Sequence, residues 1–274
     1  MKKIIVLLCF LCLGLSISAC GAKKIPGTKT QGVLVVGMEC DYPPFNWMQS
    51  AKSDTNVPIS NVVGAYAEGY DVQIAKKIAE GLNLELKIKS FVWDGLIPAL
   101  KSGEIDLIIA GMSPTEERKR SISFTDGYYR STHVLLVRAD SEYANATTME
   151  DFDGAKVAGQ LNTLYARLVP QLVAKGAIAG ADKDSVPLLA SDVKRKVIDA
   201  TIVEEPVAQG LVAADNSFTY VKLTDGFVVA DEDVLVAIGT RKECNFIEEI
   251  NNILASISEE ERNSIMARAV EMNS

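Results

Sequence analysis

Apolar and polar residues alternate with two different periods along this chain, and the switches between them mark out its elements. Residues 33–37 and 105–110 are short, apolar and rich in valine and isoleucine, as buried strands are. Leu84, Leu86 and Ile88 alternate with Glu85, Lys87 and Lys89, the pattern of a half-buried strand. Residues 71–81 carry apolar side chains at helical spacing, with Asp71 as the expected cap and Gly81 as the stop. Asp94 is expected to cap a second helix running to Lys101, with Gly103 beyond it. Ser113-Pro114-Thr115-Glu116 has the form of a capping box with proline at the first helical position. The order strand, helix, strand, helix, strand predicts an α/β fold with a mainly parallel sheet.

The pattern restarts after Tyr129. Strands are expected over 134–138, 156–160, 197–203 and 234–239, with a short helix at 149–152 and a longer one over 163–175. Residues 246–269 read as a single amphipathic helical tail, and 49–68, poor in core residues, as a surface loop or small hairpin. Two blocks of unequal length result, with the C-terminal segment free to return to the first.

The N-terminus adds an address. Lys2 and Lys3 precede an apolar stretch over 4–17, too short to span a bilayer, and then Ser18-Ala19-Cys20. This is an export leader, either cut near Ala19 in the ordinary way or processed at Cys20. Residues 20–32, with three lysines and a proline, read as a flexible tether. Lys and Arg total 28 against 36 Asp and Glu, and the leader holds two of the lysines and no acid. An acidic chain is a poor nucleic-acid binder, so no such partner is expected. Cys40 and Cys244 either pair or remain free thiols; nothing in the sequence fixes their distance. With one histidine, His133, assigned to strand packing, no metal ligand set and no cofactor are expected.

The candidate chemistry gathers after residues 105–110. That stretch ends at Gly111, where another molecule can approach the backbone closely, and leads into a helix start that favours anions. Arg118 then falls in the first helical turn, where a cation opposes the macrodipole. Arg118-Lys119-Arg120 is either a solvated basic run or contains a guanidinium placed to clamp a carboxylate through paired hydrogen bonds.

Ala110-Gly111-Met112-Ser113-Pro114-Thr115-Glu116-Glu117-Arg118, followed by Phe124-Thr125-Asp126-Gly127-Tyr128-Tyr129, resembles the signature of polar amino-acid solute-binding proteins of ABC importers. The resemblance runs from about Val33 to the C-terminus and implies a type 2 periplasmic-binding fold. Its two lobes would comprise 33–129 plus 225–274 and 130–224, joined by two crossings. Ile17-Ser18-Ala19-Cys20 is similar to a lipobox, which implies a signal peptide over 1–19 and a lipid on Cys20. The protein would then sit at the outer face of the bacterial cytoplasmic membrane as a monomer, without enzymatic activity. It would capture a free amino acid between its lobes and pass it to the permease.

The resemblance also assigns roles. Arg118, Ser113, Gly111 and Thr163 would hold the ligand carboxylate, and Glu204, with Ser113, the ammonium. Tyr42 and Trp93 would flank the ligand side chain, with core packing the other reading of Trp93. Glu39 stands where relatives for basic amino acids carry an acid, and it could also bond glutamine. The chain departs from the family pattern at Asn162 and Leu164, which replace a glycine and a threonine, and at Glu204, which replaces an aspartate. Thr163 could equally be a plain helix cap. Two other readings remain: an enzyme on the same fold, similar to a cyclohexadienyl dehydratase, and a lipoprotein that senses the ligand without transporting it.

Overall fold

The fold follows from two sheets built on one plan, each beginning with three parallel strands. The computed structural model describes residues 28–273; the expected leader, Cys20 and most of the tether lie outside the described residues. Val33–Met38 (β1) is followed by four short strands, Asp41–Tyr42 (β2), Asn46–Gln49 (β3), Val57–Pro58 (β4) and Tyr66–Glu68 (β5). Helix Tyr70–Gly81 (α1) leads to Glu85–Ser90 (β6), then Leu96–Ser102 (α2) to Leu107–Ile108 (β7), and Glu116–Lys119 (α3) to Ser123–Arg130 (β8). The second body contains His133–Arg138 (β9), Lys156–Ala158 (β10), Leu164–Val173 (α4), Ile178–Ala179 (β11) and Val186–Lys194 (α5). It is completed by Ala200–Glu204 (β12), Glu205–Ala214 (α6) and Phe218–Val221 (β13). The chain then returns through Leu235–Thr240 (β14), Ile247–Ser256 (α7) and Glu259–Met272 (α8).

The strand orders are β6-β1-β7-β14-β8 and β11-β10-β12-β9-β13. In each, the first three strands and the fifth point one way, and the fourth, β14 or β9, lies antiparallel to both its neighbours. Each sheet is therefore mainly parallel, as expected, with one reversed strand. Strands that share a direction within a lobe are joined through helices, as βα units require; β9 and β14, the reversed strands, each follow a passage between lobes and have no such helix before them. Those passages lie between Arg130 and His133 and between Val221 and Leu235.

Several expected elements shift, each for a physical reason. Residues 105–110 are fully buried, or nearly so, but only Leu107–Ile108 forms ladder strand. Asp106 interrupts the apolar run: its carboxylate accepts from the Val35 and Lys29 amides and pairs with Arg241 at 3.2 Å. Gly69, not Asp71, flanks α1, because a Cβ there would lie 2.5 Å from the Phe45 carbonyl oxygen and φ is +123°. Thr115, not Ser113, caps α3, leaving Pro114 outside the helix. That helix is a single turn, so Arg118 sits near its C-terminal end and does not oppose the dipole. Asp94 lies inside a 3₁₀ turn, Trp93–Gly95, and caps nothing. The C-terminal tail is two helices, because Ile257 is extended and Ser258 caps α8. Residues 49–68 contribute to a four-stranded antiparallel sheet, β2-β3-β5-β4, which carries Tyr42.

Candidate ligand-binding site

The expected site residues come almost entirely from the carboxyl ends of parallel strands, where open α/β sheets place ligands. Glu39 and Tyr42 follow β1, Trp93 follows β6, and Gly111, Ser113 and Arg118 follow β7. Asn162 and Thr163 follow β10 in the other lobe, and Glu204 ends β12. Seven of the eight expected ligand contacts line one narrow cavity, together with Gln160, Leu164 and Tyr165. Glu204 joins them through the Tyr42 hydroxyl, which donates to its carboxyl group.

Arg118 is buried, and its surroundings fix its orientation. Nη1 donates to the Ser113 carbonyl at 2.9 Å, and Nη2 to the Asn162 carbonyl of the opposite lobe at 3.3 Å. The guanidinium carbon lies over the Trp93 ring, and Trp93 Nε1 donates to the same Asn162 carbonyl at 3.2 Å. Burial lowers the Arg118 pKa to about 10, so it is still a cation at neutral pH. Asn162 adopts φ +57°, the left-handed region that asparagine tolerates better than most residues. Its side-chain amide reaches both oxygens of Asp94, at 3.0 and 2.8 Å. Arg167 and Glu117 form a further bridge at 3.0 Å.

Two expected donors point elsewhere. The Gly111 N–H faces the carboxylate of Asp71, away from the cleft. What Gly111 gives the site is space: a Cβ there would stand 3.0 Å from Tyr42 Cε1, at a backbone φ of +61°. The Thr163 hydroxyl donates to the Gln160 carbonyl at 2.7 Å and accepts from the Tyr165 amide at 3.1 Å, which makes it the cap of α4. Arg118 is the one cationic side chain among the residues that line the cavity.

The acids oppose it. Burial pushes the Glu204 pKa up to about 8, with nearby Glu39 adding to the shift. Glu39 rises to about 8, again chiefly by burial, against a hydrogen bond from Gln160 Nε2 at 3.1 Å. Tyr42 is held parallel to Phe45, with ring centres 5.6 Å apart. His133, paired with Glu204 in the β12–β9 ladder, packs edge-on to Tyr165, and burial depresses its pKa to about 4. Sequence reasoning missed Gln160 and Asp94 as contacts across the cleft. Their neighbours Asn162 and Trp93 were the only local signal. Cys40 is buried and Cys244 half-buried, both as free thiols. Among the described residues no group of three or more His, Cys, Asp or Glu side chains could hold a metal ion.

The pattern that defines the bacterial extracellular solute-binding proteins, family 3, matches residues 34–269. The chain belongs to this family. An arginine-binding extracellular protein, ArtP, from Bacillus subtilis is 28% identical over 94% of both chains. A probable histidine-binding protein from Campylobacter jejuni is 30% identical over 92% of this chain and 91% of its own. Among solved structures, an amino acid ABC transporter substrate-binding protein, AbpA, from Streptococcus pneumoniae bound to L-arginine superimposes with a TM-score of 0.73. It is 25% identical, and the match covers 88% of this chain and 96% of that one. The architecture of this family member is thus a type 2 periplasmic-binding fold, two α/β lobes joined by a two-crossing hinge. Its work is to bind a polar amino acid outside the cell for an ABC importer.

Proposed function

We propose that the ligand is a cationic L-amino acid, held with its carboxylate on Arg118, its ammonium on Glu204 and its side-chain cation on Glu39. The observation that carries this reading is the charge inventory at the cavity: Glu39 lines it, Glu204 stands behind the Tyr42 hydroxyl, and both are buried, as is the Arg118 guanidinium. A basic amino acid presents the complement, two cations and one carboxylate. A neutral amino acid would offer a cation to only one of the two acids and leave the other protonated, its charge pairing unused. Glutamine is the runner-up, since Glu39 already accepts from an amide, that of Gln160. An ancestral arginine-binding protein 28% identical to this chain has been solved with glutamine bound.

The receptor captures its ligand as the lobes close and presents it to the permease; hinge closure of this kind is general among periplasmic binding proteins. Lipidation of Cys20 would hold it at the outer face of the membrane. Residues 33–129 with 225–274, and 130–224, are the two moving bodies of a monomer without catalytic activity.

Calorimetric titration of the ligand-stripped protein with the twenty amino acids and ornithine tests the assignment. Arginine, lysine, histidine or ornithine is expected to bind, with Arg118→Ala weakening binding about thirtyfold or more, as loss of a buried charged partner does. Glu39→Gln should erase the preference for cations. Binding confined to neutral amino acids would overturn the Glu39 role. No heat with any of them, together with turnover of prephenate or arogenate, would point to the dehydratase instead.

A further inference from the structure

A carboxylate lies completely buried beneath the ligand cavity, on the side away from the cleft. Asp71, in the first turn of α1, is fully enclosed and does not line the cavity. Tyr128 donates its hydroxyl to Oδ1 at 2.6 Å, and Asn46 donates Nδ2 to Oδ2 at 2.8 Å. The Gly111 N–H faces the same group. These three donors belong to three separate segments, and each segment carries part of the site. Asn46 pairs with Tyr42 in the β2–β3 ladder, and its Oδ1 accepts from the Cys40 amide at 2.7 Å. Gly111 lies so close to the Tyr42 ring that a Cβ there would stand 3.0 Å from Cε1. Tyr128 belongs to β8, which ends at Arg130 where the chain leaves for the second lobe, and its carbonyl accepts from Tyr70 at 2.9 Å.

We propose that Asp71 is a positioning residue for ligand capture, holding Tyr42, the Gly111 turn and the strand that enters the first crossing in one arrangement. An ionised carboxylate is acceptor-only, with about four lone-pair sites, so it takes donors from several directions at once. An amide of the same shape would turn a donor towards one of these donors. Burial raises the Asp71 pKa to about 6, against the Tyr128 and Asn46 hydrogen bonds, and the group is ionised at neutral pH. Starting α1 does not require this burial: an exposed acid in the first turn suffices for α8, where Glu259 and Glu260 are on the surface. Packing alone does not require it either, because an apolar side chain of similar volume fills a core at less desolvation cost.

The proposal rests on the cleft being an amino-acid site, and the test separates the two. L-arginine, or the tightest binder of the amino-acid panel, is titrated into the unaltered protein, Asp71→Asn, Tyr128→Phe and the double variant. Ile74→Val in the same helix serves as a core control, since Ile74 is buried and touches none of these groups' hydrogen bonds. Asp71→Asn is expected to weaken binding about tenfold and Tyr128→Phe about threefold. The double variant should be no weaker than Asp71→Asn, and Ile74→Val should leave affinity unchanged while lowering the melting temperature. Should Asp71→Asn not fold, the isosteric Tyr128→Phe decides alone. Unaltered affinity in the folded variants, or a loss in Ile74→Val that matches theirs, overturns the positioning role while leaving the receptor reading intact. An unaltered protein that binds no amino acid overturns both.

Discussion

The Arg118 guanidinium carbon lies 4.9 Å from the centre of the Trp93 ring, and both side chains donate to one carbonyl, that of Asn162, across the cleft. The ring therefore orients the cation as well as walling the cavity. A stacked, partly desolvated cation–π pair contributes about 0.5–2 kcal/mol. Trp93→Ala is expected to weaken amino-acid binding roughly 3- to 30-fold, whereas Trp93→Phe, which keeps the face and loses Nε1, should cost less. Arg118→Lys should be nearly as damaging as Arg118→Ala, because an ammonium cannot reproduce the planar fork. Calorimetric Kd values decide; a Kd within twofold for Trp93→Ala would remove the ring from the account.

Asn162 fastens the lobes with its side chain as well as its carbonyl. Asn162→Gly retains the positive φ at no steric cost but deletes both bonds to Asp94. Both come from the single Nδ2, and counted as one net hydrogen bond of about 0.5–1.5 kcal/mol their loss should quicken ligand dissociation roughly 2- to 12-fold. Association should be unchanged, since the open form is not altered. Stopped-flow fluorescence of the protein's two tryptophans reads both rates. Asp94→Ala should give the same change and add nothing in combination.

Acidity tunes both stability and affinity through the cleft acids. Glu39 and Glu204 have folded pKa values raised from 4.5 to about 8. Between those limits the folded, ligand-free chain binds more protons than the unfolded one, so its stability falls as pH rises from about 4.5 to 8 and then levels off. Asp41 and Asp71, raised in the same direction, add to the lower part of that window. A cationic ligand favours the ionised acids and expels their protons. Affinity should therefore rise between pH 6 and 8, by about tenfold per pH unit for each proton released. Calorimetry at pH 7 in buffers of different ionisation enthalpy measures that release. A pH-independent Kd with no proton release would mean that the acids do not face the ligand cations.

Much of this architecture was legible because local patterns and distant contacts agree. Residues 33–37 read as a strand and pair fully as β1, flanked on both sides by parallel neighbours. The left-handed turn at Asn162 was predictable from the tolerance of asparagine. What failed was capping. Asp71 and Asp94 each have the composition of a cap, yet one is buried and bonded by Tyr128, remote in sequence, and the other is engaged across the cleft. A cap preference is a local bias of about 1 kcal/mol and yields readily to such tertiary contacts. Helix α5 escaped notice because its start, Val186-Pro187, has no side-chain cap and follows a run of polar residues. Gln160 could not be found from the sequence, since its role depends on Glu39, 121 residues away.

The place of β14 bears on how the protein is made. It lies between β7 and β8, antiparallel to both, although it follows them by more than a hundred residues. Until that last strand emerges, β8 has no neighbour in its sheet and the core around β7 is open on one side. The second lobe, formed by an unbroken stretch from β9 to β13, has no such dependence. During synthesis and export, the lobe that comes later in the chain is thus the first able to close its core. The earlier lobe waits for the C-terminal segment to thread back into it. A chain ending before Leu235 would leave β8 as an unpaired edge exposing backbone donors and acceptors, the form in which half-made sheets aggregate.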